Sequence, residues 1–261
     1  MLDSNRRNIV DEPGPVIEGK PELEILYHDE YLVAVNKPAG LFVHRSFMDK
    51  EEKYFALQLV RDQIGHYVFP VHRLDRPTSG VLLFALSGEV ASLMGQAFTQ
   101  KTIGKTYYAL TRGHLLGSET IDYPLKEKLD KLGDKNVDRN KDPQQAQTVY
   151  QSIATASLPI ALGKFDTIRY SLIKLEPLTG RRHQLRRHLA HLRHPVIGDI
   201  TYGDNKQNPF FCQYFGFKRL MLLAKKLDFF HPVFNEKISI EVGFDRQWLH
   251  VFDQLAWAQP L

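Results

Sequence analysis

The sequence predicts a single α+β domain built on a large mixed, mostly antiparallel β-sheet that is flanked by helices and loops. Segments that read as strands outnumber the helical patterns, and several of them adjoin through short turns. The 261-residue chain is within reach of one large domain. Its hydrophobic fraction of 43% and charged fraction of 25% are those of an ordinary folded protein with a sizeable core.

The folded domain is expected to begin at residue 22. Residues 1–21 contain three prolines and two glycines among scattered charges, which is typical of a flexible or surface-draped extension. Residues 23–40, LEILYHDEYLVAVNKPAG, place two apolar runs around a polar turn, and this pattern predicts a strand, a tight turn and a second strand. Residues 22–261 therefore form one domain in this interpretation.

Later segments supply the rest of the predicted sheet and its helices. VLLFAL, residues 81–86, is a short continuous apolar run of the kind found in strands buried on both faces. Ser87 can cap a helix over residues 88–100, and a closing helix is expected over residues 246–257. Further strands are predicted at residues 105–113, 147–155, 168–176, 219–229 and 236–243.

Charge and cysteine content narrow the class of protein. The net charge of +4 and the pI near 9.0 are weak indications of a polyanionic partner. Cys212 is the single cysteine, which excludes an internal disulfide and a cysteine-based metal cage. The N-terminus is too polar for a signal peptide and no apolar run approaches the length of a membrane span, so we expect a cytoplasmic protein. Residues 126–146 carry dense charge of both signs and should form a solvated excursion, with a mobile clamp over a binding site as the less favoured alternative.

The most basic segment is TGRRHQLRRHLAHLRHP, residues 179–195, which reads as a helix that Pro195 ends. Arg186, near its middle, is the best candidate for a half-buried guanidinium, which would need an anionic partner. On such a helix, a core-facing stripe is formed by Leu185, Leu189 and Leu192. Beside this stripe lies a row of arginines, Arg182, Arg186 and Arg193. The outer face carries His183, Arg187, His191 and His194.

The start of this helix is predicted to bind an anion. Arg181 and Arg182 would oppose the helix macrodipole there, at about 0.3–1 kcal/mol each. Free backbone amides beside two arginines favour phosphate as the ligand over a merely solvated basic face. The histidines are expected at the surface or facing a ligand and not on a metal, since no Cys, Asp or Glu lies between residues 177 and 198 and the arginines would repel a cation.

A single carboxylate, Asp75, stands between Arg73 and Arg76 in VHRLDRPTSGVLLFALS, residues 71–87. The two arginines, with Arg186 as a further candidate partner, would keep the carboxylate ionised. The turn and the apolar run that follow would mount it rigidly, as a reacting group requires. From spacing alone, a catalytic carboxylate and a structural ion pair are equally supported.

Four motifs, in order along the chain, resemble those of the RluA family of pseudouridine synthases. HRLDRPTSG, residues 72–80, resembles the catalytic motif, and residues 23–40 resemble the opening segment of the family. Lys105-Thr106-Tyr107 is similar to the K-x-Y element, and TGRRHQLRRHLAHLRHPVIGD, residues 179–199, is similar to the arginine motif. Each motif alone is weak, but four in register are highly specific.

The resemblance implies an isomerase that converts uridine to pseudouridine in RNA without a cofactor or metal. The base leaves ribose C1′ at N1, turns and rejoins through C5, with Asp75 as the catalytic carboxylate of a domain spanning residues 22–261. A hydrolytic glycosidase normally needs two carboxylates, whereas an enzyme that keeps its leaving group needs one and must exclude water. Whether Asp75 adds to C1′, adds to C6 or removes a ribose proton stays open.

The resemblance also implies roles for other side chains. Tyr107 would stack on the flipped uracil and serve proton transfer at C5; strand alternation alone does not distinguish it from Tyr108, which points to the opposite face. Arg186 would orient Asp75, and Arg73 would enter the RNA helix as the target base leaves. The remaining expected RNA contacts are Arg76, Lys105, Arg181, Arg182 and Arg187.

Within the family, the motifs are most similar to those of members that act on tRNA, so the expected substrate is uridine 65 in the acceptor-proximal stem. The segment before Leu23 would also leave no room for the S4-type RNA-binding domain of several ribosomal relatives. The alternatives are the same chemistry on ribosomal RNA, a non-catalytic RNA-binding protein, and a metal-dependent nuclease. The nuclease is disfavoured because the sequence has few clustered carboxylates to hold a metal. We expect a monomer without an obligatory protein partner or a membrane contact.

Overall fold

The computed structural model describes residues 20–44, 52–127 and 142–260. Residues 1–19 of the predicted extension lie outside these ranges. The same is true of residues 128–141, which make up most of the charged segment 126–146. The expectations for those two segments therefore stay predictions.

The described chain contains ten strands and five helices. The strands are β1 (Ile25–His28), β2 (Leu32–Lys37), β3 (Phe69–Pro70), β4 (Ser79–Ala85), β5 (Gly104–Arg112), β6 (Ser118–Asp122), β7 (Gln147–Leu158), β8 (Ile168–Pro177), β9 (Leu222–Phe230) and β10 (Lys237–Glu241). The helices are α1 (Ala56–Ile64), α2 (Gly88–Thr99), α3 (Gln184–His191), α4 (Gln207–Phe215) and α5 (Arg246–Gln254).

All ten strands belong to one sheet, whose main path runs β1-β2-β4-β9-β5-β8-β7-β6, with β3 beside β4 and β10 beside β9. Strands β4 and β9 pair in parallel, and the other strand pairs of the described chain are antiparallel. The mixed, mostly antiparallel sheet and the α+β class are therefore confirmed. No helix in the three described ranges is long and apolar enough to cross a membrane.

Strand β4 crosses the middle of the sheet, and all seven of its residues are buried. Val81 and Leu83 pack into the core on one face, whereas Leu82 and Phe84 pack into a core on the other face. A continuous apolar run is what such a doubly covered strand requires, because both pleat directions meet other side chains. The prediction for residues 81–86 is confirmed.

One face of the sheet carries a large core and the other carries two smaller cores. Helices α2, α4 and α5 cover the large core, to which they contribute Met94, Phe211 and Trp248. On the opposite face, α1 packs over β2 and β4, and α3 packs over β5 and β8. Tyr107 of β5 contacts both smaller cores, so the gap between them lies over this strand.

Most predicted elements are confirmed at nearly the predicted bounds. Residues 23–40 form β1 and β2, and the helix predicted over residues 88–100 is α2, where the Ser87 hydroxyl accepts a hydrogen bond from the Val90 amide at 3.2 Å. The remaining predicted strands are β5, β7, β8, β9 and β10, and the closing helix is α5. Sequence analysis missed β3, β6, α1 and α4; α4 contains a proline and several aromatic residues, which favour helix only weakly.

The arginine-rich helix is shorter than predicted, because α3 spans only Gln184–His191. His183 (φ 54°) and Arg193 (φ 64°) have left-handed backbone conformations, which end the helix on either side. The predicted row of Arg182, Arg186 and Arg193 is therefore wrong, since only Arg186 lies within the helix. The predicted leucine stripe does face a core.

Gly80 allows β4 and β9 to approach each other closely. Its φ is 117°, and a Cβ there would lie 2.1 Å from the carbonyl oxygen of Ala224. We expect Gly80→Ala to lower the free energy of unfolding by about 3 kcal/mol or more, because backbone strain and steric overlap act together. Urea unfolding measures this change.

Gly95→Ala in α2 is the matched control, because a Cβ there meets nothing within 4 Å. This substitution should raise the free energy of unfolding by about 0.5–1 kcal/mol, as expected for alanine in a helix. A Gly80→Ala variant as stable as the wild type would show that β4 and β9 do not meet this closely.

Candidate active site

A pocket of about 640 Å³ opens over β5, in the gap between the two smaller cores. The loop before β4 and the end of α2 supply part of its wall, and the segment from β8 into α3 supplies another part. An excess of cations in such a pocket favours an anionic ligand. Among the described residues, the charged wall consists of one carboxylate and six basic side chains: Asp75, with Arg73, Lys101, Lys105, Arg181, Arg182 and Arg186.

Asp75 lies in a loop that several contacts hold in place, and its side chain is 19% exposed. Leu74 is buried in the core beneath α1, and the carbonyl of Asp75 accepts a hydrogen bond from the Thr78 amide at 3.0 Å. The Leu83 amide donates to Nε2 of His72 at 3.0 Å and so ties the loop to β4. Burial lowers the pKa of His72 to about 4, so the ring stays neutral and keeps accepting this bond. The carboxylate is mounted on a fixed backbone, as the sequence predicts.

Lys37, the last residue of β2, is a fully buried lysine next to this loop. Its ammonium group donates to the carbonyls of Pro38, Leu41 and Arg76 at 2.9, 2.8 and 3.0 Å. Burial lowers the pKa of Lys37 to about 7, and the negative charge of Asp75 opposes this shift. Lys37 therefore joins the loop after β2 to the Asp75 loop. Sequence analysis missed it, although a lysine that closes a buried apolar strand was an available signal.

Arg186 is the buried cation that faces Asp75. It is 2% exposed, and its Nε and Nη2 donate to the two carboxylate oxygens of Asp199, both at 2.8 Å. Its Nη1 lies 3.6 Å from Oδ2 of Asp75. Asp199 is fully buried, and its Oδ1 also accepts from the amides of Thr201 and Tyr202 at 2.9 Å. One guanidinium therefore bridges two carboxylates and holds Asp199 more closely than Asp75.

This arrangement corrects two expectations for Arg186. The guanidinium that was predicted to be half-buried is fully buried, and its main partner is Asp199, which sequence analysis missed. Asp199 stands in a loop whose shape depends on Gly198, where φ is 80° and a Cβ would lie 1.7 Å from the carbonyl oxygen of Arg219. The adjacent glycine and aspartate were the available signal, because a glycine in left-handed backbone beside an acid indicates a fixed loop.

His183 also lies beside Asp75, and the outward position that the helical pattern predicts for it is wrong. Its Nε2 is 3.9 Å from Oδ1 of Asp75, and its Nδ1 is 3.0 Å from the hydroxyl of Tyr202. The left-handed backbone at the start of α3 turns this side chain, which is 8% exposed, into the pocket wall. The guanidinium of Arg186 lies 5.3 Å from the centre of the Tyr202 ring, so Tyr202 supports both basic groups.

Arg181 and Arg182 line the pocket from the loop before α3 and not from its first turn. Gln184 holds this loop, since its Oε1 accepts from the Thr179 hydroxyl at 2.7 Å and from the Arg181 amide at 3.0 Å. The predicted conflict with the helix macrodipole is therefore wrong, and the Arg181 amide already has a partner. The two side chains still add positive charge to the pocket.

His188 is fully buried, which corrects the expectation that the histidines lie at the surface or face a ligand. Its Nδ1 lies 3.0 Å from the hydroxyl of Thr148, and its Nε2 lies 3.0 Å from the carbonyl oxygen of Tyr123. His188 is one helical turn beyond the buried Gln184 and shares its face of α3. Arg187 is partly exposed and lies outside the pocket wall.

Tyr107 and Tyr108 point to opposite faces of the sheet, as strand alternation predicts. Tyr107 lines the pocket, and both burial and the charge of Asp75 raise its pKa, so its hydroxyl stays protonated. Tyr108 is 6% exposed in the large core, where its ring makes an edge contact with Phe244 at 5.3 Å. The structure therefore places at the pocket the tyrosine that the motif selects.

The three other predicted basic residues have different surroundings. Arg73 is exposed at the pocket wall, and Lys105 is partly buried there. Arg76 points away from Asp75: its Nε donates to the Gly40 carbonyl at 3.0 Å, its Nη2 pairs with Glu52, and its guanidinium lies 4.4 Å from the centre of the Phe42 ring. Its expected position beside the Asp75 carboxylate is therefore wrong, because adjacent residues of this loop point in different directions.

The chain matches the family model described as RNA pseudouridylate synthase over residues 31–191. It belongs to the RNA pseudouridylate synthase family. It is 52% identical over 239 residues to tRNA pseudouridine synthase C of Vibrio cholerae, covering 92% of this chain and 98% of that protein. Its identity to tRNA pseudouridine synthase C of Haemophilus influenzae is also 52%, over 90% of this chain and 98% of the relative.

Solved structures of pseudouridylate synthases share the fold. Human RNA Pseudouridylate Synthase Domain Containing 4 superposes with a TM-score of 0.67 at 26% identity, covering 91% of this chain and 95% of the human chain. For Human RNA Pseudouridylate Synthase Domain Containing 1 the TM-score is 0.66 at 25% identity, with 89% and 90% covered. The predicted membership of this family is confirmed.

We expect Arg186→Ala to reduce both the stability and the turnover of this pseudouridylate synthase. Without the guanidinium, Asp199 becomes a buried, unpaired carboxylate, which costs about 3–5 kcal/mol, and Asp75 loses its fixed partner. Arg187→Ala removes a partly exposed arginine of the same helix and should lose far less of both. Urea unfolding and single-turnover conversion of RNA measure the two effects. Equal and mild effects would show that Arg186 does not hold the two acids.

Proposed function

We propose that this pseudouridylate synthase isomerises uridine to pseudouridine in tRNA and that Asp75 is its catalytic carboxylate. One observation carries the proposal: among the residues that the structure describes, the one acid in the wall of a strongly basic pocket faces a buried arginine. The curated relatives support a tRNA substrate, since proteins named tRNA pseudouridine synthase C are 52–53% identical to this chain over about nine tenths of its length.

The size and charge of the pocket suit one nucleotide that has left its duplex. A volume of about 640 Å³ is that of a small-molecule site and excludes a base-paired helix. Moving a nucleotide out of its stack costs a few kcal/mol, and an inserted planar guanidinium can replace part of the lost stacking. Arg73 is suited to this role because it is exposed at the pocket wall beside the Asp75 loop.

Arg186 has two tasks in the proposed reaction, which are to orient Asp75 and to place a positive charge 3.6 Å from its carboxylate. Breaking the bond between C1′ and N1 leaves an electron pair on the uracil and a deficit at the sugar, for which an ionised carboxylate is the natural partner. Asp199 takes two of the hydrogen bonds of Arg186, so Asp75 is attracted without being locked in a closed bidentate pair. Attack at C1′, addition at C6 and removal of a ribose proton all remain within this scheme.

Tyr107 is placed to stack on the detached uracil while the base turns. After C5 bonds to C1′, C5 loses its proton and N1 gains one, so the overall change is an isomerisation with no external reactant. Burial and Asp75 keep the Tyr107 hydroxyl protonated, so it can accept the C5 proton only while it passes its own proton on. Tyr107 therefore acts in this scheme as a proton relay and not as a stored phenolate.

Apolar side chains in the wall would keep water from the detached intermediate. Leu74, Leu185 and Leu222 line the pocket beside the charged groups. Exclusion of water matters because a free uracil and a reactive sugar would otherwise be lost to hydrolysis. The uracil is thereby held close to C1′ until the new bond forms.

The finer substrate assignment rests on the motif resemblance. We propose that the target is uridine 65 in the acceptor-proximal stem of tRNA. The enzyme is proposed to act in the cytoplasm as a monomer, with no cofactor and no obligatory protein partner.

Pseudouridine mapping across total tRNA and ribosomal RNA tests this function. Carbodiimide modification followed by reverse transcription should show that a strain lacking the gene loses one pseudouridine, in the acceptor-proximal stem of tRNA. The wild-type gene should restore it, whereas Asp75→Asn should lower the conversion rate by at least about 10³-fold, because the amide carries no negative charge.

Asp253→Asn is the control for this experiment, since it removes an exposed carboxylate outside the pocket wall and should restore the modification. Loss of a pseudouridine from ribosomal RNA instead would move the substrate to that RNA. Restoration by Asp75→Asn would contradict the catalytic assignment.

A further inference from the structure

Two lysines of the pocket wall take no part in the proposed chemistry. Lys101 lies just beyond α2, and Lys105 is the second residue of β5. Both line the pocket, Lys101 exposed and Lys105 partly buried. Within the described residues neither lysine forms an ion pair with a carboxylate. This part of the wall therefore carries positive charge that no carboxylate of the described ranges pairs with.

The positive charges of the Lys101 and Lys105 ammonium groups repel each other. Burial lowers the pKa of Lys105, and the positive charge of Lys101 lowers it further. The charge of Lys105 also contributes to the low pKa of His72 in the same wall. An anion between the two lysines would remove this repulsion and strengthen its own hydrogen bonds in the partly buried site.

The backbone does not require a lysine at position 101. Helix α2 ends in a Schellman motif, in which the Thr102 amide donates to the Ala97 carbonyl at 3.1 Å and the Lys101 amide donates to the Phe98 carbonyl at 3.2 Å. Lys101 occupies the left-handed position of this motif with φ of 60°, where glycine is the unstrained residue. A lysine there carries a conformational cost that glycine would not, so the fold of this turn does not select the ammonium group.

We propose that Lys101 and Lys105 together bind one backbone phosphate of the RNA substrate, separate from the phosphates near Arg181 and Arg182. This inference rests on the proposed function, since it takes the ligand to be RNA. A nucleotide that enters the pocket carries a phosphate on each side. The wall supplies cations from two distinct chain segments, one with Lys101 and Lys105 and the other with Arg181 and Arg182. Ammonium groups are compact point charges, so this pair gives affinity and strand placement without reading the base.

Lys101→Gly separates the binding role of this side chain from any structural role. The substitution removes the ammonium group and relieves the left-handed strain, so the melting temperature should stay equal or rise. Equilibrium binding of a tRNA transcript, measured from 50 to 300 mM salt in the Asp75→Asn background, should weaken by roughly 5- to 8-fold at 0.1 M salt. The negative slope of log K against log salt should become shallower by about 1.

Lys105→Met is the second variant, because methionine keeps the apolar stem and removes the charge. It should also make the negative salt slope of log K shallower by about 1. Lys218→Ala removes an exposed lysine outside the pocket wall and should change affinity by less than about twofold. This control has the same net charge as the other two variants, so a change confined to them is local to the pocket.

The outcomes distinguish this inference from the function on which it rests. Weaker binding and lower slopes for both pocket variants, with intact melting, support the phosphate site. Unchanged slopes in an enzyme that converts tRNA would overturn the site alone. Failure of the wild-type enzyme to convert tRNA would overturn the proposed function, and the site with it.

Discussion

The buried guanidinium of Arg186 is the constraint on which the rest of the site depends. A cation that is 2% exposed must have its charge and its N–H groups matched inside the protein, or the fold loses several kcal/mol. Asp199 provides this match through two hydrogen bonds of 2.8 Å, while Asp75 stands at 3.6 Å from the remaining nitrogen. Asp75 thus sits beside a fixed positive charge, and no closed bidentate pair with Arg186 occupies its carboxylate.

The fold creates this geometry by placing two independent cores on one face of a single sheet. The core beneath α1 holds the loop of Asp75, and the core beneath α3 holds Arg186. The site forms where the two supports meet over β5, and Tyr107 contacts both. Because each reacting group is anchored in a different packed core, a small shift between the cores would change the distance between Asp75 and Arg186.

Residues whose surroundings are set by nearby sequence could be predicted. The β4 strand follows from a continuous apolar run, the start of α2 follows from Ser87, and Tyr107 and Tyr108 follow strand alternation. The family motif then separated the two tyrosines and selected Asp75 and Arg186. These inferences need only local periodicity, a capping side chain or a matching motif.

The other groups of the site depend on contacts that the local pattern does not encode. Asp199 is a partner of Arg186 because a glycine-shaped loop brings it back under α3. His183 turns inward because its own left-handed backbone precedes the first residue of the helix. A prediction that rotates every residue by 100° places it on the wrong face. The Lys37 amino group can be buried because three carbonyls from two loops converge on it. In each case tertiary geometry, and not residue type, decides the surroundings.

The kinetics of Asp199→Asn test the central claim most directly. Asparagine keeps the size of the side chain and one oxygen for Arg186 but removes the charge that holds the guanidinium. With tRNA saturating and urea unfolding confirming a folded enzyme, single-turnover conversion should fall by about 10²-fold while RNA affinity stays within about threefold, because only the alignment of Asp75 is lost. Conversion at the wild-type rate in the folded variant would contradict the account.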